Sequence, residues 1–327
     1  MFDILISKEC KLSKGKVCVF AKKEYLQHKG QDYGYIYGMI DAQPVFYLAF
    51  VLKQRWFFCL AEFQTSVICL DSNYRNFAEV FLEEAVQRLA RYKTIDFICQ
   101  NPAYAIFDVF PKNAKYTYFG SYVCSLEDSE DVLWKKVHSK HRNVIRKAKN
   151  NGVEILFNEF PIEEIYEMIS LTQARSGNGF VTQDAFCSLI EGLEGNIDLV
   201  SAHYKGEMQG CAVLAHDCQR VYYLFGGSCS KPFPGALNLL HWEAMMHYKS
   251  LGILEYDFVG ARLSGKISSK LQGIQRFKSR FGGELNKGFL WKYIFRKEKY
   301  FLYKILCFVK NHKWDVDAID EEHITNI

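Results

Sequence analysis

The chain has 327 residues, 49% hydrophobic and 24% charged, with a net charge of only +4; this describes a globular protein with room for two ordinary cores and excludes a disordered chain or an overall polycation. Eleven cysteines without a Cys-x-x-Cys pair exclude a zinc ribbon and read as reduced structural thiols; no metal-ligand spacing is visible. No apolar run approaches the ~18 residues of a membrane span, and the apolar start at Phe2–Ile6 is too short for a signal peptide, so the expected location is the cytoplasm.

The predicted elements begin with β-rich runs at Tyr33–Ile40, Val45–Leu52 and Trp56–Phe63. Pro44 breaks the first pair, and Lys53-Gln54-Arg55 reads as a hairpin turn before the third. Apolar residues at Phe77, Val80, Phe81, Ala85 and Leu89 have helical spacing over Asn76–Tyr92. Thr94–Gln100 and the aromatic Tyr116–Val123 follow as strands. The pattern then restarts. Asp128–Asn150 reads as one long helix, stopped by Asn151-Gly152. Val153–Phe157 is a strand, and Ile162–Ala174 and Thr182–Leu193 are helices. Asp198–Tyr204, Met208–Ala215 and Arg220–Gly226 form a meander, followed by the helix Asn238–Leu251 and the strand Leu254–Val259. Arg262–Gln275 reads as a long polar loop. Each half runs sheet, helix, sheet. This predicts a mixed α/β (α+β) chain of two similar domains, 1–125 and 126–289, with 290–327 returning to complete the first.

Charge is uneven along this framework. Lys135–Lys149 holds seven Lys/Arg and no acid, and Lys287–Lys313 holds eight with the single acid Glu298. Arg142, Arg146 and Lys149 share a face of the first stretch, which is either a solvated helix face or an anion-binding surface for phosphates, from tRNA or a nucleotide-linked substrate. The second stretch interleaves lysine with aromatics, as a helix packed on the first domain does, and as a surface resting on the inner membrane does. Arg175, in a Gly/Asn-rich loop, either clamps a phosphate or faces the dipole of its own helix. Asp257 is a buried hydrogen-bonding residue or a site carboxylate. The meander followed by a helix is the layout of an acyltransferase core. Its connection Ser228–Ala236 contains two prolines and one glycine, a poor cradle for a pyrophosphate because proline has no N–H to offer. Lys278, between Phe277 and Phe281, is either a charge aimed at a reacting centre or a snorkelling surface residue.

Several motifs occur in one order: Lys140–Gly152, Arg175 with Phe180, Tyr222–Ser228, Asn238–Ala244, Tyr256–Gly260 and Phe277–Gly283. In that order they resemble the Fem family of peptidoglycan interpeptide-bridge aminoacyltransferases and its relatives among GNAT-fold acyltransferases, over roughly Leu126–Leu285. The resemblance implies tandem GNAT-like domains with mixed central sheets flanked by helices. It implies transfer of an aminoacyl group from charged tRNA to an amine of a nucleotide- or lipid-linked envelope precursor. No tightly bound cofactor is implied; the donor, aminoacyl-tRNA or acyl-CoA, is a co-substrate. Lys278 then falls on the catalytic position, with Phe277, Arg175, Tyr223, Asn238 and Asp257 around the substrate. No Ser-His-Asp or Cys-His arrangement is readable, so direct transfer is expected, with Lys278 stabilising the tetrahedral oxyanion; a single such donor contributes roughly 3–4 kcal/mol. On this reading Lys278→Met greatly reduces turnover and leaves the melting temperature nearly unchanged. An acyl-CoA-dependent N-acyltransferase acting on an amino sugar, and a non-catalytic polyanion-binding module, are the alternatives.

Overall fold

Glycine-poor, β-branched and aromatic runs of period two give this chain its strands, and helices of period near 3.6 cover them. The computed structural model describes residues 2–13, 17–265, 268–311 and 317–325. In chain order these are β1 (Asp3–Ser7), α1 (Lys23–Lys29), β2 (Asp32–Ile40), β3 (Gln43–Arg55), β4 (Phe58–Phe63), β5 (Ile68–Cys69), α2 (Ala78–Tyr92), β6 (Phe97–Ile98) and β7 (Lys115–Ser125). Next come α3 (Glu130–Lys136), α4 (Ser139–Asn150), β8 (Val153–Phe157), α5 (Ile162–Ala174), α6 (Gln183–Gly192), β9 (Ile197–Tyr204), β10 (Glu207–His216), β11 (Arg220–Ser228), α7 (Ala236–Ser250) and β12 (Glu255–Asp257). The chain closes with β13 (Ala261–Arg262), α8 (Ser269–Ser279), β14 (Glu284–Ile294), α9 (Lys297–Asn311) and α10 (Ala318–Thr325). It divides into unit 1, residues 1–120, 260–268 and 287–327, and unit 2, residues 121–259 and 269–286. Residues 260–268, expected inside the second domain, therefore belong to unit 1, where Ala261 and Arg262 pair with Gly120 and Phe119.

In unit 1, β1, β2, β3 and β4 run antiparallel to one another, β6 lies parallel to β4, and β14 returns antiparallel to β6. Period two separates the faces of β3. Phe46, Leu48, Phe50 and Leu52 meet Phe81, Leu82, Ala85, Val86 and Leu89 of α2 in one core, with Trp291 of β14. On a second cluster Phe58, Leu60 and Phe97 receive Tyr300, Tyr303 and Cys307 of α9. The β2–β3 turn is Asp41-Ala42, both at positive φ (48° and 61°), as a two-residue hairpin requires. The second turn lies further along than the sequence suggested. Lys53, Gln54 and Arg55 pair with Leu60, Cys59 and Phe58, Lys53 is fixed to Glu62 at 2.7 Å, and the reversal falls on Trp56-Phe57, with Trp56 at φ 54°.

In unit 2 the neighbours run β7, β12, β11, β10, β9, β8; only β11–β12 is parallel. Alternation again assigns faces. Val200, Ala202, Ala212, Leu214 and Val221 face a core built with α3, α4 and α7, whereas Cys211 and Val213 face Ile165, Ile169 and Phe186 of α5 and α6. The single long helix expected over Asp128–Asn150 is two. Val137 and His138 are extended (ψ 130° and 140°), and the imidazole Nδ1 of His138 accepts the Lys140 N–H at 3.1 Å, capping α4. The expected loop over Arg262–Gln275 also differs, because Ser269–Ser279 is helical. The positions α8 turns inward include Gln275 and Lys278, so it lacks the apolar period by which a helix is read.

Candidate active site

The site begins where two parallel strands part. β11 and β12 pair at Arg220–Glu255, Val221–Tyr256 and Tyr222–Asp257, and there the pairing stops. β11 runs on to Ser228, while the other chain turns away through Val259 (φ 40°) and Gly260 (φ 80°). A β-branched residue at positive φ is sterically costly, of order 1–3 kcal/mol, and persists only where its surroundings hold it. The surroundings here are two ionisable side chains. Asp257 Oδ1 accepts the Val259 N–H at 2.8 Å, and the Lys278 ammonium donates to the Val259 carbonyl.

Asp257 is buried, accepts the hydroxyl of Ser121, and has the Arg220 guanidinium 3.7 Å from Oδ2. Burial raises its carboxyl above the usual range, against the opposing pull of Ser121, Arg220, the Val259 amide and Lys278. Lys278, in the last turn of α8, is 8% exposed. Burial pushes it down to about 8, with Asp257 pulling the other way. Its head does not snorkel into water. It is a buried charge whose neighbouring carboxylate is only partly compensating. The expectation that Lys278→Met leaves stability nearly untouched is therefore revised: the substitution strips a partner from the carbonyl of a strained turn, a cost of about 1–3 kcal/mol.

Beside this turn lies an aromatic and imidazole layer. The Tyr223 ring meets the His241 ring edge-on at 4.6 Å, and His241 lies 5.6 Å from both Phe277 and Phe281. His241 Nδ1 and the Tyr256 hydroxyl are hydrogen-bonded at 2.8 Å. Burial, then the Lys278 charge, depress His241 to about 3, and burial depresses His141 to about 4. Both rings are neutral at pH 7, and the buried His141 Nδ1 has no hydrogen-bond partner among the described residues. A bulge aims Tyr223. The β10–β11 register passes from Leu214–Tyr223 to Val213–Phe225, leaving Leu224 as the extra residue. Tyr223 consequently packs on the α7 side and Phe225 on the α5 side, although plain alternation would put both on one face. The Tyr223 hydroxyl lies over Gly226, where any Cβ would overlap it, and burial raises the phenol.

The structure thus brings Asp257, Lys278, Phe277 and Tyr223 to one locality. Asn238 is half-buried in the first turn of α7, one turn before His241. Arg175 stands elsewhere, at the far end of β11. It donates to Thr172 Oγ1 (2.9 Å) and to the Ser228 carbonyl, tying α5 to the strand end. The three cations of the basic helix have internal partners. Arg142 donates to the carbonyls of Lys135 and Val137, satisfying the end of α3; Arg146 lies 5.3 Å over the Trp134 ring; Lys149 pairs with Glu243 at 2.9 Å. Lys140, Arg146 and Lys147 are the exposed cations of α4 without a carboxylate partner among the described residues. Sequence reasoning did not single out His241, His141, Ser121 or Arg220. His241 sits inside the quoted Asn238–Ala244 motif, and a histidine on the apolar face of a helix was its available signal.

Chemically, the arrangement offers a dry positive charge, an aimed phenol and neutral rings next to an opening between parallel strands. Among the described residues no group of three His, Cys, Asp or Glu could hold a metal ion. Residues 135–279, which span Tyr223, His241, Asp257 and Lys278 but not Ser121, match the family model described as an acetyltransferase (GNAT) domain. No curated protein matches the sequence. Among solved structures, FemX is similar at 13% identity and TM-score 0.65, covering 88% of this chain and 93% of its own. The C-terminal domain of a putative lysylphosphatidylglycerol synthetase from Agrobacterium fabrum is similar at 12% identity and TM-score 0.51, covering 90% and 93%. The match of residues 135–279 to a GNAT acetyltransferase domain supports an acyltransferase, and the chain has a fold similar to that of FemX.

Proposed function

We propose that this acyltransferase moves an aminoacyl group from charged tRNA to an amine of a cell-envelope precursor, nucleotide- or lipid-linked. The observation that carries the reading is the connection between β11 and α7. A thioester donor built on coenzyme A needs free N–H groups for its pyrophosphate. In this connection Pro232 and Pro234 have none, the Cys229 and Phe233 amides donate to the carbonyl and side chain of Gln209, and the Ala236 amide donates to Phe233. Gly235 approaches the Val144 carbonyl so closely that a Cβ would collide with it, which leaves little slack for reshaping. A donor held elsewhere by its ribose and base fits better. The names of the two similar structures point the same way, one of them describing the joining of lysine to phosphatidylglycerol.

In the proposed step the acceptor amine attacks the ester carbonyl. The new C–N bond forms, the C–O bond to the ribose breaks, the ribose oxygen leaves with a proton, and the amine gives one up. Negative charge collects on the carbonyl oxygen, and the positive field of Lys278 lowers its energy. Lys278, Phe277, Tyr223, Asn238 and Asp257 serve this centre. Arg175, bound to Ser228, positions the end of β11. The test offers purified protein charged tRNA and acyl-CoA in parallel, against a panel of nucleotide-linked, lipid-linked and amino-sugar amines. Transfer from tRNA alone is expected. Transfer from acyl-CoA alone overturns the reading in favour of an N-acyltransferase on amino sugars. Salt-sensitive tRNA binding with no transfer overturns it in favour of a polyanion-binding module.

A further inference from the structure

Helix α9 is apolar on two sides, and only one is used. Tyr300, Tyr303 and Cys307, at i, i+3 and i+7, are buried against Phe58, Leu60 and Phe97 of unit 1. The opposite side presents Phe301 (63% exposed), Leu302 and Val309 (66% exposed) to solvent. The turn between β3 and β4 adds two more large apolar groups, Trp56 and Phe57 (57% exposed). This tip abuts α9: the Trp56 ring is 5.9 Å from Tyr303, and Arg55 donates to the Tyr303 hydroxyl at 2.8 Å. A cluster of large exposed apolar side chains on one face of a helix marks a protein or membrane interaction site.

The charges around the stripe select the cover. Lys297 and Lys310, exposed at its two ends, have no carboxylate partner among the described residues. The acids of the neighbouring α10 region are engaged away from those two lysines, Asp317 on Lys292, Asp320 on Lys292 and Lys304, and Glu321 on Arg262. Glu298 is the one acid in α9. A second copy of the chain is a poor cover, because an antiparallel pair of α9 helices sets Lys297 against Lys310, and a parallel pair sets each lysine against itself. An anionic lipid surface answers both the cations and the aromatics. We infer that the outer face of α9, with the Trp56-Phe57 tip, docks this protein on an anionic membrane surface. At 15 residues the helix is about 22 Å long, short of the roughly 30 Å hydrocarbon core. It lies in the interface with its apolar side down, and among the described residues no helix is long and apolar enough to cross a membrane.

Vesicle binding is read without donor or acceptor, so this inference stands or falls apart from the transfer reaction. The full chain is sedimented with vesicles of phosphatidylcholine alone and of phosphatidylcholine mixed with phosphatidylglycerol. Binding to the anionic vesicles, weakened by added salt, is expected. The double variant Phe301→Glu/Val309→Glu replaces only exposed side chains, and its circular dichroism spectrum is expected to be unchanged. It should bind roughly tenfold or more weakly, given the apolar burial it removes. Equal binding by parent and variant overturns the proposal, as does no preference for anionic vesicles. So does a lipid-free dimer that the double variant converts to a monomer, which would make this face a contact between copies.

Discussion

Among the described residues each unit buries one lysine, and the two are treated in opposite ways. Lys292 of unit 1, 1% exposed, meets Asp317 at 2.9 Å and Asp320 at 2.7 Å. Burial alone would raise Asp320, yet the bond and charge of Lys292, helped by Lys304, hold it below the usual carboxylate range. Lys278 of unit 2 is given a carbonyl oxygen and the field of a carboxylate already engaged with Ser121 and Val259. The first arrangement is a closed account of charge and fastens the C-terminal segment to its sheet. The second keeps a charge only partly neutralised beside a strained turn, which is how a site retains a field for a reacting group.

The comparison breaks first at Lys292. Lys292→Met leaves the buried Asp320 and the partly exposed Asp317 without their shared cation, Asp320 keeping only Lys304 at 3.4 Å, and unfolding in denaturant should show a loss of about 3 kcal/mol, with turnover per folded molecule unchanged. Lys278→Met should do the reverse. Turnover is expected to fall about a hundredfold, with a smaller stability loss of about 1–3 kcal/mol; full activity in the folded variant would remove Lys278 from the mechanism. Because Lys278 titrates near 8, the rate of the parent enzyme should decline as pH rises through that value and the ammonium is lost. The stability effect has the opposite sign. Burying the ammonium costs stability below about pH 8, and that cost is relieved between about 8 and the ordinary lysine value near 10.4.

The histidines sharpen the contrast at the acid side. Their folded values, about 4 for His141 and about 3 for His241, lie below the ordinary 6.5. Their contribution is complete above 6.5 and is lost as pH falls, at up to about 1.4 kcal/mol per pH unit for each ring. Between pH 6.5 and 5 the parent should weaken more steeply than a His241→Gln variant, measured by urea unfolding at each pH. Smallest of all, Tyr223→Phe keeps the ring packing and should change stability by less than about 1 kcal/mol. A fall in transfer rate would place the hydroxyl at the donor; an unchanged rate would leave Tyr223 as packing for His241.

What the sequence made legible follows from what its periods encode. Ile162–Ala174 was read to the residue because Ile165 and Ile169 carry its buried side. The outline of the meander was readable because β9 and β10 alternate between two covered faces. Helix α8 was invisible because its one fully buried residue is a lysine. The break at Val137–His138 depends on a side-chain cap, which a run of helix formers hides. Arg142 looked like a free cation, yet a helix end leaves carbonyls that need donors, and Arg142 is close enough to supply one. The link from Ser121 to Asp257 crosses 136 residues, beyond any local pattern. The resemblance located the Phe277-Lys278 pair; only the fold shows that its ammonium supports Val259.

The interleaving of the two units has a consequence for how the chain is made. Unit 1 starts at the N-terminus, but Trp291 of its α2-side core, and Tyr300 and Tyr303, which cover Phe58, Leu60 and Phe97, are translated after the last residue of unit 2. Domains ordinarily fold in the order in which they leave the ribosome. Here the domain begun first is finished last. A nascent chain arrested with residue 286 just clear of the ribosome should hold a protease-resistant unit 2 and a still-cleavable unit 1, its sheet waiting for Trp291 of β14 and for α9.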